Sequence, residues 1–374
     1  MDLVQDRTCI IEEGEEKEDR ISNLPDDIIH CILSFLDLKE AIRTSTLSPK
    51  WEHKWKKIRD LNFNSGTFRT IIPSFWKFVE HALSHRSNDV DVSKVICPGG
   101  TSPIVLQIIV GYAYLHNASE LNITSIIRGL RMFPTCLFSS HTLKHLTLAT
   151  NDQSCYVGKC ERILPAPWNF PALETVCLSG MHLDDDGDES LELFSKCVNL
   201  RDLTLHKCCM KDLKIFDICA PALSDLTITD AIAYPDVFNV VAPQLKNLTA
   251  SIMATSNQDP SKFDCLQLSI EAFDSLEKVD LSLSVPEYKQ LTFVPLLLNL
   301  FPKLHNTKFL AVNLDIIQAL SIWSDKLSHE HCPFDNLKCL KINTKFRNLK
   351  DRITKIPPQV RNYLLENSPS ATIM

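Results

Sequence analysis

One spacing constrains this chain more than any other: an apolar residue, a second three positions later, and a third two beyond that. It occurs as Leu143, Leu146, Leu148; Leu173, Val176, Leu178; Leu200, Leu203, Leu205; Leu223, Leu226, Ile228; Leu245, Leu248, Ala250; Leu276, Val279, Leu281; a degenerate Leu304, Thr307, Phe309; and Leu337, Leu340, Ile342. Weaker copies stand at Ile58, Leu61, Phe63 and at Ala118, Leu121, Ile123. The clear copies begin between 22 (223 to 245) and 33 (304 to 337) positions apart, a period that signals stacked supersecondary units. Several share a lead-in, as in Phe170-Pro171-Ala172, Ala220-Pro221-Ala222, Ala242-Pro243-Gln244 and Phe301-Pro302-Lys303.

The last two apolar residues of each copy lie two apart, so on an extended backbone both enter the same face of a strand. A single strand cannot bury that face. Stacked copies predict a parallel sheet along the concave side of a solenoid, with helices or irregular segments behind it. The intervening residues then point outward: His145 and Thr147; Thr175 and Cys177; Asp202, Thr204 and His206; Asp225, Thr227 and Thr229; Asn247 and Thr249; Lys278 and Asp280; Asn306 and Lys308; Cys339 and Lys341. Short polar side chains on rigid strands suit recognition of a protein or peptide through many hydrogen bonds. The long loop from Thr150 to Phe170 is the competing surface. Glycine is scarce, at nine residues, and no glycine-rich phosphate turn occurs, which argues against a dinucleotide-binding enzyme.

The block from Asp19 to Trp55 carries a second signal. Pro25 suits a helix start, with Asp26 and Asp27 at the positive end of the helix dipole. Ile28, Ile29, Ile32, Leu33, Phe35 and Leu36 follow at three-and-four spacing, an apolar surface wide enough to be covered on two sides. Asp37 and Glu40 form a capping pair for a second helix bearing Leu38, Ala41, Ile42 and Leu47. Ser48 and Pro49 predict a third, with Trp51, Trp55 and Ile58 on one stripe. So small a module buries little alone, and apolar surface left over marks a binding face.

Leu24-Pro25, the Ile28 to Leu36 helix, and Leu47-Ser48 with Trp51 resemble an F-box over about forty residues. Arg43-Thr44-Ser45 and the second tryptophan, Trp55, make the chain similar to the plant F-box and leucine-rich-repeat family. The resemblance implies an α/β chain with an N-terminal three-helix F-box at 19–60, after an acidic tail at 1–18, and a degenerate leucine-rich-repeat solenoid with a parallel concave sheet at 61–374. It implies a noncatalytic substrate receptor, requiring no cofactor, in which the F-box docks on the Skp adaptor of a cullin-RING ubiquitin ligase and the repeats hold a target protein. Carried over, Leu24, Pro25, Ile28, Ile29, Ile32, Leu33, Leu36, Leu47 and Trp51 are the adaptor-facing residues, though some must instead hold the helices together. A repeat scaffold that delivers nothing for degradation is the alternative. Placement in nucleus or cytoplasm follows from the family alone.

Other chemistry is thin. With 44% hydrophobic and 23% charged residues the chain is globular. Its net charge of −7 argues against a nucleic-acid binder, despite Lys50, Lys54, Lys56, Lys57 and Arg59, which read as a solvated face. No segment has the length of a membrane span, and Leu291 to Phe301, broken by Pro295, fits a buried helix or strand. Fourteen cysteines without a secretory signal suit a reducing compartment, as small buried apolar residues. Cys155 and Cys160, or Cys208 and Cys209, lack a second pair at zinc spacing. His329 to Cys332 reads as a loop, His81 and His85 as a surface helix, and Asp184 to Glu189 as an acidic loop out of register for calcium. Ile356 to Pro369 resembles the helical lead-in to a further repeat, with the FBD region of such relatives absent or truncated.

Overall fold

The computed structural model of the chain describes residues 20–68, 74–99, 101–125, 133–150, 167–183, 190–210, 213–235, 237–253, 274–284, 290–343 and 356–374. The acidic tail at 1–18, Cys155, Cys160, most of the 150–170 loop and the acidic loop at 184–189 lie outside these residues.

The N-terminal module follows its punctuation closely for two elements. Helix α1 spans Asp26–Ser34, with Pro25 as its N-cap and the first helical bond from Ile29 N–H to Pro25 C=O at 3.1 Å. Helix α2 spans Leu38–Arg43, and the Asp37 carboxylate accepts the Glu40 amide at 2.9 Å, which satisfies one of the donors a helix start leaves open. The expected third helix does not form. Ser48-Pro49 opens a turn, followed by a short 3₁₀ segment, Lys54–Lys57, and the Ser48 hydroxyl caps nothing. Without that cap, Trp51, Trp55 and Ile58 still reach the core, at 2%, 7% and 5% exposure, because two tight turns carry them to the same side.

Fifteen strands follow among the described residues: β1 Asp60–Asn62, β2 Lys94–Cys97, β3 Glu120–Ser125, β4 His145–Thr150, β5 Thr175–Ser179, β6 Ser190–Glu192, β7 Asp202–His206, β8 Ile215–Cys219, β9 Asp225–Thr229, β10 Val237–Val241, β11 Asn247–Met253, β12 Lys278–Ser284, β13 Phe309–Asn313, β14 Cys339–Asn343 and β15 Thr372–Ile373. Twelve pair into one parallel sheet in the order β1-β2-β3-β4-β5-β7-β9-β11-β12-β13-β14-β15. Every expected leucine triplet but one lands in register. Leu146, Val176, Leu203, Leu226, Leu248 and Val279 form one continuous inward row, and each is at most 2% exposed.

The exception is the degenerate copy. Leu310 and Val312, not Thr307 and Phe309, pair with Val279 and Leu281, so Lys308 precedes the strand and Phe309 faces outward at 47% exposure. The inward pair thus lies three residues later than expected, and any odd shift exchanges the faces of a strand. Two further elements fall outside the sequence reading. Val92, Val95 and Cys97 form an additional copy at β2, and β15 pairs with β14 beyond helix α8, Pro358–Leu365.

What lies behind the sheet follows repeat length. Where successive copies are shortest, at 173 to 200, 200 to 223 and 223 to 245, short strands stand behind the sheet, and β6, β8 and β10 pair into a second parallel sheet in the order β10-β8-β6. Phe194, Phe216 and Phe238 stack edge-on behind the main sheet at 6.4 and 5.8 Å, capped by Trp168 at 5.5 Å from Phe194. Longer copies hold helices: α3 Trp76–Ser84, α4 Pro103–Leu115, α5 Gln290–Leu300, α6 Leu314–Ile322 and the short α7 Ser324–Leu327. Helix α5 is the apolar stretch around Pro295.

The module and the solenoid share one core. Trp55 and Ile58 continue into Leu61 and Phe63 of the first repeat. Arg86, after α3 and only 5% exposed, clamps this junction. Its guanidinium donates to the carbonyls of Trp55 (3.4 Å) and Ile58, and to the Tyr112 hydroxyl of α4 (3.1 Å).

Candidate functional site

Helix α1 has two apolar faces, and only one is used internally. Ile29 and Leu33 are fully buried against the turn segment that carries Trp51 and Trp55. Ile28, Ile32 and Phe35, at successive helical turns, are 47%, 38% and 82% exposed, with Leu47 at 52% and Ile21 at 50% on the flanking segments. Pro25 is exposed, while Leu24 and Leu36 are half-buried against the core. Of the nine residues expected to face a partner, Ile29, Leu33 and Trp51 instead hold the module together. Phe35, the most exposed large apolar residue of the module, was missing from that set, although its place three after Ile32 was a readable signal. Scattered apolar residues on a surface need no explanation, but a stripe of three with two more on the adjoining segments of so small a module is a candidate contact face.

The frame behind this stripe is tied down by polar contacts. The Trp51 indole donates to the Ile21 carbonyl at 3.2 Å, the Lys50 ammonium donates to the Leu24 carbonyl, and Lys54 pairs with Asp26 at 2.6 Å. That bond to Lys54 holds the Asp26 carboxyl below the usual carboxylate range. Lys50 and Lys54 thus brace α1 and are not merely solvated.

The outward face of the main sheet is the second surface. The register brings the expected residues into rows across adjacent strands: His145, Thr175, Asp202, Asp225, Asn247 and Lys278 in one, Thr147, Cys177, Thr204, Thr227, Thr249 and Asp280 in the next, with Lys341 two strands beyond Asp280. His206 and Thr229 lie in a third. Many of these groups bond one another. His145 meets the Thr175 hydroxyl at 2.9 Å, His206 meets that of Thr229 at 3.0 Å, and Asn247 donates to Asp225 at 2.6 Å. Asp202 faces Asp225 without a bridging cation among the described residues, and its partial desolvation, then that neighbouring carboxylate, raises its pKa. Lys308 stands outside the rows, paired with Glu277 at 2.7 Å.

Residues 21–62 match the F-box domain family. This segment is an F-box. Plant proteins whose names join an F-box to leucine-rich repeats are similar to this chain over more than half of its length. An Arabidopsis thaliana F-box/FBD/LRR-repeat protein is 29% identical over 56% of this chain and 49% of its own length. An Arabidopsis F-box/LRR-repeat protein is 28% identical over 65% of this chain and 78% of its own, and a putative FBD-associated F-box protein from that plant is 29% identical over 62% and 53%. The match thus spans about half the length of two of these relatives. The exposed stripe of α1 lies wholly inside the F-box, and the polar rows lie wholly outside it.

Among the described residues Cys97, Cys197 and Cys208 have the character of core residues, whereas Cys31 is exposed. Burial pushes Cys97 and Cys197 up to about 11 and Cys208 to about 12, so these three stay protonated near neutral pH, where the thiolate is the reactive form. Among the described residues no three His, Cys, Asp or Glu side chains gather in a way that could hold a metal ion, and no helix is long and apolar enough to cross a membrane.

Proposed function

We propose that this chain is a noncatalytic substrate receptor of a Skp-cullin-F-box ubiquitin ligase, acting in the nucleus or cytoplasm. The observation that carries the proposal is the exposed stripe Ile28, Ile32 and Phe35 inside a matched F-box. An adaptor groove would cover it, while the buried Ile29, Leu33 and Trp51 keep the stripe in place. The solenoid, fused to the F-box through a shared core, would present a target protein on its polar sheet face. Ubiquitin transfer then gains from proximity: a lysine of the held target meets the charged conjugating enzyme at a raised effective concentration. The chain itself supplies position.

The test is adaptor capture by the purified chain beside a Phe35→Asp variant. A charge placed on a mostly exposed side chain leaves the fold intact and puts an unpaired carboxylate into the interface, which costs several kcal/mol. Capture should fall by at least about a hundredfold while circular dichroism is unchanged. A folded wild-type chain that captures no adaptor sinks the receptor reading and leaves a repeat scaffold.

A further inference from the structure

Helix α3 is fastened to the F-box near both of its ends. Beyond its C-terminus, Arg86 donates to the carbonyls of Trp55 and Ile58. At its N-terminus the contact runs through Phe68, whose ring centre lies 5.1 Å from those of Phe75, the N-cap residue, and of Phe78 in the first turn. The cation there comes from the other body. Helix α2 packs on the short 3₁₀ segments of its own module, and Lys39 carries its reach beyond them: the ammonium stands 4.4 Å from the centre of the Phe68 ring and donates to the Thr67 carbonyl at 3.0 Å.

The two fastenings differ in kind. Arg86 is buried and its bonds run inside the shared core. Lys39 and Phe68 are half-buried and Thr67 is exposed, and an ammonium over a partly exposed ring is a modest contact. Its place matters more than its strength. Helix α3 has nine residues and is therefore about 13 Å long, so the Lys39 contact stands about that far from the Arg86 contact. A body held at one point can turn about it, and a second point at such a distance opposes the turn.

We propose that Lys39 is a positioning residue, which sets the angle between the F-box and the repeats by acting through the Phe68 ring on helix α3. Its bearing on function rests on the receptor reading, in which that angle decides where a bound adaptor stands relative to whatever the sheet carries. Charge is the working part of the side chain: the ring face attracts a cation and the carbonyl takes a proton donor. An arginine supplies both, and a methionine of similar reach supplies neither.

The experiment is pulsed electron paramagnetic resonance on the full chain, with nitroxides carried by a keto amino acid at Glu52 and Val198, exposed positions of the F-box and of the repeats. The keto group spares the fourteen native cysteines. The unaltered chain should give one narrow distance distribution. Lys39→Met should widen it at least about twofold, as relative motion of two loosely joined bodies does. Its thermal midpoint should move by no more than about 3 °C, a shift that a merely structural contact would give without the widening. Lys39→Arg should keep the distribution narrow, and so should Lys77→Met, which removes an exposed lysine of α3 itself. An unaltered chain as broad as Lys39→Met, a broad Lys39→Arg chain, or equal widening by Lys77→Met overturns the assignment. Adaptor capture is measured on the unlabelled chain. Its failure removes the ligase and leaves Lys39 to the distances, whereas capture beside an unwidened Lys39→Met distribution removes the positioning role alone.

Discussion

Asp202 shows what a single outward residue costs a repeat sheet. It lies directly across from Asp225 on the next strand, and partial desolvation, then that neighbour, raises its pKa above the ordinary 3.8. The folded chain therefore holds this proton more tightly than the unfolded chain does. Where the native state binds more protons, stability falls as pH rises, so the penalty sets in between the ordinary and the raised value and is fully present at neutral pH. Asp202→Asn removes it. The variant should unfold at higher urea than wild type at pH 7, by less than about 1 kcal/mol given solvent screening, and the two should converge below the ordinary 3.8. A gain that persists in acid would assign the effect to packing instead of charge. Like charges directly opposite one another destabilise a sheet, and Asn247 and Ser224 both donate to Asp225.

At the scale of the element, the repeats turn by a shared device. Gly180, Lys207 and Asp230 end strands β5, β7 and β9 at equivalent positions, and all three have positive φ, at 69°, 51° and 54°. Gly180 adopts this freely, and a side chain there would press on Thr150, with a Cβ only 2.5 Å from its methyl. Lys207 pays strain for the same turn and is exposed, so Lys207→Gly should stabilise the fold by about 0.5 to 1 kcal/mol, read as a shifted urea midpoint. No change would mean that the added freedom of the unfolded glycine cancels the relief. The leucine triplets made these strands legible because both inward residues sit inside each strand. The back layer was harder to read. Phe194, Phe216 and Phe238 recur at 22-residue spacing (194 to 216, 216 to 238), a periodicity as regular as the leucines, but one large residue per copy does not say strand or helix. The slip at β13 arose because the segment from Leu304 to the strand is three residues longer than in other copies, and a period of two gives no warning of that. In the F-box, three-and-four spacing marked α1 but could not divide its two apolar faces; only the position of the Trp51 and Trp55 segment decides that Ile29 and Leu33 face in and Ile32 and Phe35 face out.

For the molecule as a whole, the proposed receptor role would depend on the stiffness of the joint between F-box and repeats, since a slack joint dilutes the effective concentration that proximity creates. Here the joint is a packed core and a buried cation. Arg86 satisfies two carbonyls of the F-box segment and the Tyr112 hydroxyl of α4, and no carboxylate among the described residues pairs with it. Hydrogen bonds to a charged donor are the stronger kind, and losing the donor strands its buried acceptors. Arg86→Met keeps the apolar stem and removes those bonds, so the chain should lose about 2 to 4 kcal/mol. The loss should be uneven: amides of α1 and α2 should exchange with deuterium faster by orders of magnitude, while those of β5, β7 and β9 keep their protection. A uniform rise in exchange across F-box and solenoid would show one cooperative unit with Arg86 as an ordinary core contact. Selective release of the F-box would locate the rigidity between F-box and repeats in this one junction and, under the proposed function, would predict that the same variant still binds an adaptor while losing its hold on the orientation of whatever the repeats carry.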